Sequence, residues 1–383
     1  MTTGPRHEYY LLTPGPLTVP RETHEAMLRD RNPGGAEHIG MTRDIQDYLL
    51  QICNGTETHA CVLLQGSATY GVEAGFQTLI PKDGRLLVIV NGFYGVRLRE
   101  IAEAARVDTT VLQLPTLPLP TRADIEAALD ADPAITHIVL CQAETGTGVL
   151  NPVEMVAEVG RERGIKVMVD AVASFGGVAI DVAALDLEAV FISPNKCLES
   201  APGLAIVLVK KSSLIAAEGR CPSAVLDLHH QWDFMQKTGN WRWTPPTHVV
   251  AALAHSCKRH AAEGGSGPRL ERYRRNWSIL VNGLRQKGFT TLLPDDVAIP
   301  IIATFNDPAD PAYSFKDFHA AMLNRGIEVF PGRLTSEGTF RIGVMGDLYE
   351  QDMQHILAQM CEALEEIGVT LPIGGSAKTM ETA

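Results

Sequence analysis

Short apolar runs rich in β-branched residues recur along the chain, and each one ends at a polar residue or a glycine. Runs of this kind are typical of strands that are buried on both faces of a central, mostly parallel sheet. Amphipathic segments lie between the runs, and this alternation of strand and helix indicates an α/β domain. The predicted strands are 86–90, 138–141, 167–169, 190–192 and 204–209, and the predicted helices are 72–79, 96–105, 121–129 and 154–163.

The pattern changes at the glycine-rich stretch 263–268, which fits either a helix–helix connection or the entry to a second domain. We predict a large domain over residues 16–265 and a smaller α+β domain that combines residues 266–370 with residues 1–15. The run from 374 onwards is polar and small, and we predict a flexible tail over residues 371–383. In the smaller domain, the spacing predicts helices over 269–287, 314–325 and 348–367 and extended segments over 301–305 and 339–343.

The composition excludes several classes of partner. The chain has 383 residues and a formal net charge of −12, which disfavours nucleic-acid binding through a general basic surface. No apolar run reaches the ~18–20 residues that span a membrane, and no signal peptide is recognisable. Seven scattered cysteines without a CxxC spacing argue against a disulfide framework and a zinc site. We therefore predict a cytoplasmic protein without a metal ion, a nucleic-acid partner or a membrane partner.

Chemically useful residues directly follow several predicted strands. Asp170 closes one strand, Glu144 and Thr145 follow another, and the segment that ends at Lys196 follows a third. Ligands of open α/β sheets bind at the carboxyl ends of the strands, so these side chains are expected at one rim of the sheet. Asp170 would otherwise serve as a helix cap or an ion-pair partner.

Lys196 is the central candidate. A lysine just past a buried strand is costly to desolvate unless it is paired or chemically used, and the alternative is a surface lysine in a loop. Burial lowers the pKa of an amine and favours the neutral form that forms a Schiff base. Cys197 beside it fits a small buried neighbour better than a reactive thiol. Gly66 and the hydroxyl residues Ser67 and Thr69 precede a predicted helix, where they suit a phosphate or an ordinary helix cap.

Pyridoxal 5′-phosphate (PLP) needs a lysine, an acid for its ring nitrogen, a phosphate cup and an aromatic face, and candidates for all four occur. The chain resembles the class V aminotransferases of PLP fold type I over roughly residues 8–368. This fold has a large domain with a mostly parallel central sheet and a smaller C-terminal α+β domain. The matching motifs are 11–16 (LLTPGP), 63–67 (LLQGS), 91–97 (NGFYGVR), 144–152 (ETGTGVLNP), 169–171 (VDA), 174–177 (SFGG), 195–197 (NKC), 244–248 (TPPTH) and 340–343 (FRIG).

The resemblance implies a role for each matching residue. Lys196 would form the Schiff base and move the proton, and Asp170 would pair with the ring nitrogen. Tyr94 would stack on the ring. The other residues expected to bind the cofactor are Ser67, Ala68, Thr69, Thr145, Val172 and Asn195.

The resemblance also implies a homodimer with active sites at the subunit interface. In the family, the segment that contains Thr244 and Thr247 reaches the cofactor phosphate from the second subunit. Arg341 matches the arginine that grips the acid group of the substrate, with a structural salt bridge as the alternative. If loss of Arg341 affected pyruvate alone, a second cation would bind the phosphonate, and Arg97 or Arg333 would be the next candidates.

The motifs fit the phosphonate branch of the family. This branch implies transfer of the amino group of 2-aminoethylphosphonate, or a close aminophosphonate, to pyruvate, giving phosphonoacetaldehyde and L-alanine. The alternatives are a serine- or alanine-glyoxylate aminotransferase of the same class, a PLP lyase, and a PLP-fold binding protein without catalysis. The exact amino donor stays open because the chain departs from the branch at Gly146, at Val172-Ala173 and at Ser200-Ala201.

Overall fold

The structure is a computed structural model that describes residues 6–330 and 338–373. The strands are β1 (Tyr10–Leu12), β2 (His59–Gln65), β3 (Arg85–Val90), β4 (Asp108–Gln113), β5 (Ile135–Cys141), β6 (Ala143–Glu144), β7 (Val149–Leu150), β8 (Lys166–Asp170), β9 (Ala189–Ile192), β10 (Leu204–Lys210), β11 (Ile302–Asn306), β12 (Ile327–Val329) and β13 (Thr339–Gly343). The helices are α1 (Arg21–Glu25), α2 (Ala36–Gln51), α3 (Ala68–Leu79), α4 (Phe93–Ala104), α5 (Arg122–Ala131), α6 (Val153–Arg163), α7 (Lys211–Ala216), α8 (Leu228–Thr238), α9 (Thr247–Glu263), α10 (Ser266–Gln286), α11 (Phe315–Leu323) and α12 (Glu350–Glu366).

Residues 19–270 form a compact unit around a seven-stranded sheet of order β2-β10-β9-β8-β5-β3-β4. The strands from β9 to β4 in this order pair in parallel, whereas β10 runs antiparallel to both of its neighbours, β2 and β9. The five strands predicted from apolar runs correspond to β3, β5, β8, β9 and β10. The prediction of an α/β fold with a mostly parallel central sheet is therefore confirmed.

Helices cover both faces of this sheet. Leu87 and Ile89 of β3 belong to a core that includes side chains of α2, α5, α6 and α9. Their neighbours Leu86 and Val88 belong to a second core, on the other face, with α3 and α4. Because successive strand residues point to opposite faces and both faces are buried, the strands are apolar at consecutive positions.

Residues 6–18, 271–330 and 338–373 form the second compact unit. There β11 pairs antiparallel with β13, and β1 pairs in parallel with β12. Phe305 and Phe340 stack in its core, with ring centroids 5.5 Å apart, against side chains of α10, α11 and α12. The predicted helices and extended segments of this region are present as α10, α11, α12, β11 and β13.

The glycine-rich stretch 263–268 holds the connection between α9 and α10. Gly264 and Gly265 have φ angles of 101° and 87°, a backbone conformation that favours glycine. The change from one compact unit to the other follows a few residues later, inside α10, after Leu270. The predicted tail lies outside the described residues from 374 onwards.

Candidate active site

A cavity of about 170 Å³ opens where the parallel strands end. β8 ends at Asp170, which lies opposite Phe191 of β9, and the segment 193–196 follows β9 at the same edge of the sheet. The cavity is lined by nine of the residues predicted to bind the cofactor: Ser67, Ala68, Thr69, Tyr94, Thr145, Asp170, Val172, Asn195 and Lys196. The remaining lining residues are Arg97, Cys141, Ala143, Ala173 and Ser193.

Asp170 is a buried acid in this cavity. Burial raises the pKa of its carboxyl to about 6. Three interactions counteract this shift: the backbone N–H of Val172 donates to the carboxylate at 2.9 Å, and the charges of Arg97 and Lys196 favour the ionised form. The carboxylate can therefore accept a proton near neutral pH more readily than an exposed aspartate can.

The start of α3 forms another wall of the cavity. Ser67 is the N-cap residue, and its side chain makes no capping hydrogen bond. Gly66 has a φ of 127°, and a Cβ atom at this position would lie 2.9 Å from Cγ of Tyr70. The backbone N–H groups of the first helical turn and the positive end of the helix dipole suit an anion such as a phosphate.

A buried carboxylate fixes the start of α4. Glu144 is fully buried, and its side chain accepts hydrogen bonds from the backbone N–H groups of Tyr94, Gly95 and Gly146 at 2.9, 3.2 and 3.1 Å. Burial raises the pKa of Glu144 to about 7, although these three donors favour its anion. The N-cap residue Gly92 has no side chain to cap the helix, and a Cβ there would lie 2.3 Å from Cγ of Glu144.

The loop that carries Lys196 is held by buried polar groups. The carbonyl oxygen of Lys196 accepts a hydrogen bond from the backbone N–H of Glu199 at 2.8 Å. The next carbonyl, that of Cys197, accepts one from the guanidinium of Arg269 at 2.7 Å, and Arg269 also pairs with Glu263 at 2.6 Å. Cys197 is fully buried, as expected for a small structural neighbour rather than a reactive thiol.

Three residues that the sequence predicts to bind the cofactor or the substrate do not line this cavity: Thr244, Thr247 and Arg341. Thr244 is exposed and lines a separate cavity with Trp243 and Tyr70, and Thr247 begins α9. Arg341 belongs to the second compact unit, where it is buried in β13 opposite Thr304. Its guanidinium carbon lies 4.7 Å from the centroid of the Phe330 ring. Arg333 lies outside the described residues.

The sequence motifs did not reveal the capping role of Glu144. Glu144 follows a predicted strand and begins the motif 144–152, but its three N–H partners come from two separate segments, which no local pattern reveals. In residues 6–330 and 338–373, no group of three or more His, Cys, Asp and Glu side chains could hold a metal ion. No helix in this part of the chain is long and apolar enough to cross a membrane.

Comparison with known proteins identifies relatives along almost the whole chain. The family model of the class V aminotransferases matches residues 38–299. The 2-aminoethylphosphonate–pyruvate transaminase of Pseudomonas aeruginosa is 41% identical over 359 residues, which cover 94% of this chain and 97% of that protein. The enzyme of the same name from Cupriavidus taiwanensis is 43% identical over 361 residues, covering 94% of this chain and 96% of that protein.

Solved structures match the fold at lower sequence identity. Ureidoglycine-glyoxylate aminotransferase from Bacillus subtilis has a TM-score of 0.86 at 22% identity, over 95% of this chain and 94% of that one. Pyridoxamine-pyruvate aminotransferase from Mesorhizobium loti has a TM-score of 0.85 at 22% identity, with the same two coverages. These two matches show that the fold is that of the aminotransferases.

Proposed function

The chain belongs to the class V aminotransferase family, which is PLP-dependent, and we propose that it transfers the amino group of 2-aminoethylphosphonate to pyruvate. The products are phosphonoacetaldehyde and L-alanine. The observation that carries this proposal is the 41–43% identity, over 94% of the chain, to proteins named for that reaction. The matching part includes the whole segment that lines the cavity, from Ser67 to Lys196.

The cavity residues fit PLP. Lys196 supplies an amine, Asp170 supplies a buried acid for the ring nitrogen, and Tyr94 supplies an aromatic face. Ser67 and the N–H groups that follow it supply an anion site for the cofactor phosphate, because no capping side chain occupies this helix start. These are the four groups that PLP requires of a protein.

The residues of the chain divide the chemistry between them. When bound, PLP supplies an electron sink for the electrons left behind when a proton leaves the substrate carbon. Nζ of Lys196 would hold the cofactor covalently between turnovers and would move that proton. The carboxylate of Asp170, with a pKa of about 6, is mostly ionised at neutral pH and would hold a proton at the ring nitrogen. Tyr94 would orient the ring, and Thr145, which lines the same cavity, would bind polar atoms of the cofactor.

A homodimer completes the proposal. Thr244 lies beside a cavity of about 320 Å³ whose lining includes Tyr70, Val225 and Trp243, exposed by 54%, 59% and 50%. Clustered exposed apolar side chains of this kind mark protein interfaces. We expect a dimer by sedimentation equilibrium and a lower affinity for PLP when Thr244 or Thr247 is replaced by valine. A monomer that binds PLP normally would contradict this part.

All seven cysteines lie in the described residues, and none of them forms a disulfide. Free cysteines are compatible with the reducing cytoplasm that we infer from the sequence.

A donor screen tests the proposed reaction. The PLP-loaded enzyme is given 2-aminoethylphosphonate, its N-methyl and 1-hydroxy derivatives or serine, each with pyruvate and with glyoxylate. Alanine is given with glyoxylate, because alanine and pyruvate would only regenerate each other. We expect the largest specificity constant for 2-aminoethylphosphonate with pyruvate, and preference for serine or alanine with glyoxylate would overturn the assignment. Donor alone should convert the cofactor to its amino form in a single turnover, whereas a lyase would regenerate PLP.

A further inference from the structure

Arg97 lies one helical turn after Tyr94 in α4 and lines the same cavity as Lys196 and Asp170. Its guanidinium carbon is 4.8 Å from the centroid of the Tyr94 ring and 5.1 Å from that of the Phe93 ring. Aromatic faces attract a guanidinium through its planar face, while the N–H donors lie around its edge. The side chain is therefore held in place by contacts that leave its hydrogen-bond donors uncommitted.

The charge of Arg97 favours the ionised form of Asp170 from a distance, but it makes no ion pair in the part of the chain that the structure describes. Within residues 6–330 and 338–373, no carboxylate lies within ion-pair distance of its guanidinium, and no hydrogen bond from that group is formed. The other arginine of this helix, Arg99, differs because it pairs with Glu103 at 3.5 Å. An arginine that lines a cavity without a carboxylate partner is suited to an anionic ligand.

The two proposed substrates place their acid groups at different distances from the reacting nitrogen. In pyruvate and alanine the carboxylate is attached to the carbon that exchanges the amino group. In 2-aminoethylphosphonate the phosphorus is attached one carbon further away. With the nitrogen held near Lys196, the phosphonate lies one bond further from this nitrogen than the carboxylate does, so a cation that reaches the more distant position favours the amino donor.

We propose that Arg97 binds the phosphonate group of the amino donor and thereby distinguishes the donor from the keto acid. This inference rests on the proposed function. A phosphonate has three oxygens and can carry a second negative charge that a carboxylate lacks, and the planar guanidinium donates two parallel hydrogen bonds to such a group. A local cation is required because the chain has a net charge of −12, which repels dianions from its surface in general.

Binding of two unreactive ligands to the PLP-loaded enzyme tests the inference by calorimetry. Ethylphosphonate is the donor without its amino group, and propionate is its carboxylate counterpart, so both bind without turnover. For Arg97→Gln we expect ethylphosphonate affinity to fall by about 30-fold or more and propionate affinity by less than about 3-fold. Arg97→Lys keeps the positive charge but cannot donate two parallel hydrogen bonds, so we expect the affinity for ethylphosphonate to fall by about 10-fold. Arg99→Gln, the matched control in the same helix, should leave both affinities unchanged.

Wild-type affinity of Arg97→Gln for ethylphosphonate would overturn the inference, as would an equal loss for both ligands. The absence of measurable ethylphosphonate binding by the wild-type enzyme would overturn it as well. If Arg97→Gln does not retain PLP, Arg97→Lys decides by the same comparison. A different result would contradict the proposed function alone. If the wild-type enzyme binds ethylphosphonate through Arg97 but does not transaminate 2-aminoethylphosphonate, the proposed reaction is wrong and the phosphonate site is still supported.

Discussion

The carboxylate of Glu144 accepts a hydrogen bond from the backbone N–H of Tyr94 at 2.9 Å. This contact joins the end of β6 to the first turn of α4, which carries two of the residues that line the cavity, Tyr94 and Arg97. Because the helix starts at a glycine without a capping side chain, the buried acid replaces an ordinary N-cap. The position of the aromatic ring and of the guanidinium thus depends on a residue that need not touch the substrate.

Replacing Glu144 by glutamine should change how stability depends on pH. Burial raises the pKa of this carboxyl from 4.5 to about 7 in the folded chain, so the folded state binds more protons than the unfolded state between these values. Protonation of Glu144 therefore stabilises the folded state. This contribution to the free energy of unfolding is about 3 kcal/mol, is fully present below about pH 4.5 and is lost as the pH rises through 7. Glu144→Gln removes this titration.

Urea unfolding of the PLP-free protein at several pH values measures the effect. The stability of wild type relative to Glu144→Gln should fall across this range. Glu103→Gln, an exposed exchange in α4, should give a profile parallel to that of wild type. Parallel profiles for Glu144→Gln as well would mean that the Glu144 carboxyl does not titrate in the folded state.

Gly92→Ala should destabilise the start of α4. The added Cβ would lie 2.3 Å from Cγ and 2.4 Å from Cδ of Glu144, a side chain with no exposed surface to move into. We expect a loss of about 2–3 kcal/mol in the free energy of unfolding, typical of overpacking in a core. Gly40→Ala in α2 is the matched control, since nothing lies within 4 Å of its Cβ, and it should be neutral or stabilising by up to about 1 kcal/mol. Equal effects of the two exchanges would contradict the close contact.

The sequence predicted those parts of the fold that depend on local pattern. Strands such as β3 and β9 are visible because both of their faces are buried, so that consecutive residues are apolar. Asp170 and Lys196 could be placed at one rim because residues that follow parallel strands meet at the same edge. The reversed direction of β10 could not be predicted, since strand direction depends on pairing between distant segments.

Contacts between segments distant in sequence account for the rest. The role of Glu144 depends on backbone groups near residue 94, some 50 residues away, and side-chain pattern carries no information about such partners. Thr244 and Thr247 could be predicted from a family motif alone, and their proposed contact requires a second subunit. Arg341 could likewise be predicted only from a family motif, because its neighbours in the structure, Thr304 and Phe330, do not identify a ligand.

Lys196→Ala should abolish turnover and remove the visible absorption of the lysine-bound cofactor, because both the covalent anchor and the proton carrier are lost. The protein should still fold, since the loop is held through its backbone carbonyls and Arg269. Absorption spectra and steady-state assays measure these outcomes. Turnover within a few-fold of wild type would show that another lysine performs the chemistry.

Asp170→Asn should leave the cofactor bound and slow proton movement on the substrate, by about 100-fold or more, because a neutral amide cannot stabilise a proton at the ring nitrogen. The amide oxygen can still accept the hydrogen bond from the N–H of Val172, so the local structure should persist. A single-turnover measurement with saturating donor tests this expectation. An unchanged rate would mean that Asp170 has only a structural role.

Arg341 provides the test of a shared acid-binding group. If Arg341 binds the acid group of both substrates, Arg341→Ala should lower the specificity constant of both half-reactions by roughly 30-fold to several-thousand-fold. This corresponds to a loss of about 2–5 kcal/mol in transition-state stabilisation. Arg341→Lys should also be impaired, because it keeps the charge and loses the planar fork. Arg325→Lys is the matched control, since this arginine of the same unit pairs with Glu366 at 2.7 Å.

The pattern of losses separates the two arginines. Arg97→Gln should impair the donor half-reaction more than the acceptor half-reaction, whereas the Arg341 exchanges should impair donor and acceptor together. A loss confined to pyruvate after Arg341→Ala would mean that the phosphonate is bound by other cations, with Arg97 as the group that lines the cavity. If neither half-reaction changed, Arg341 would be structural, in keeping with its burial in β13, and recognition of the pyruvate carboxylate would need another residue.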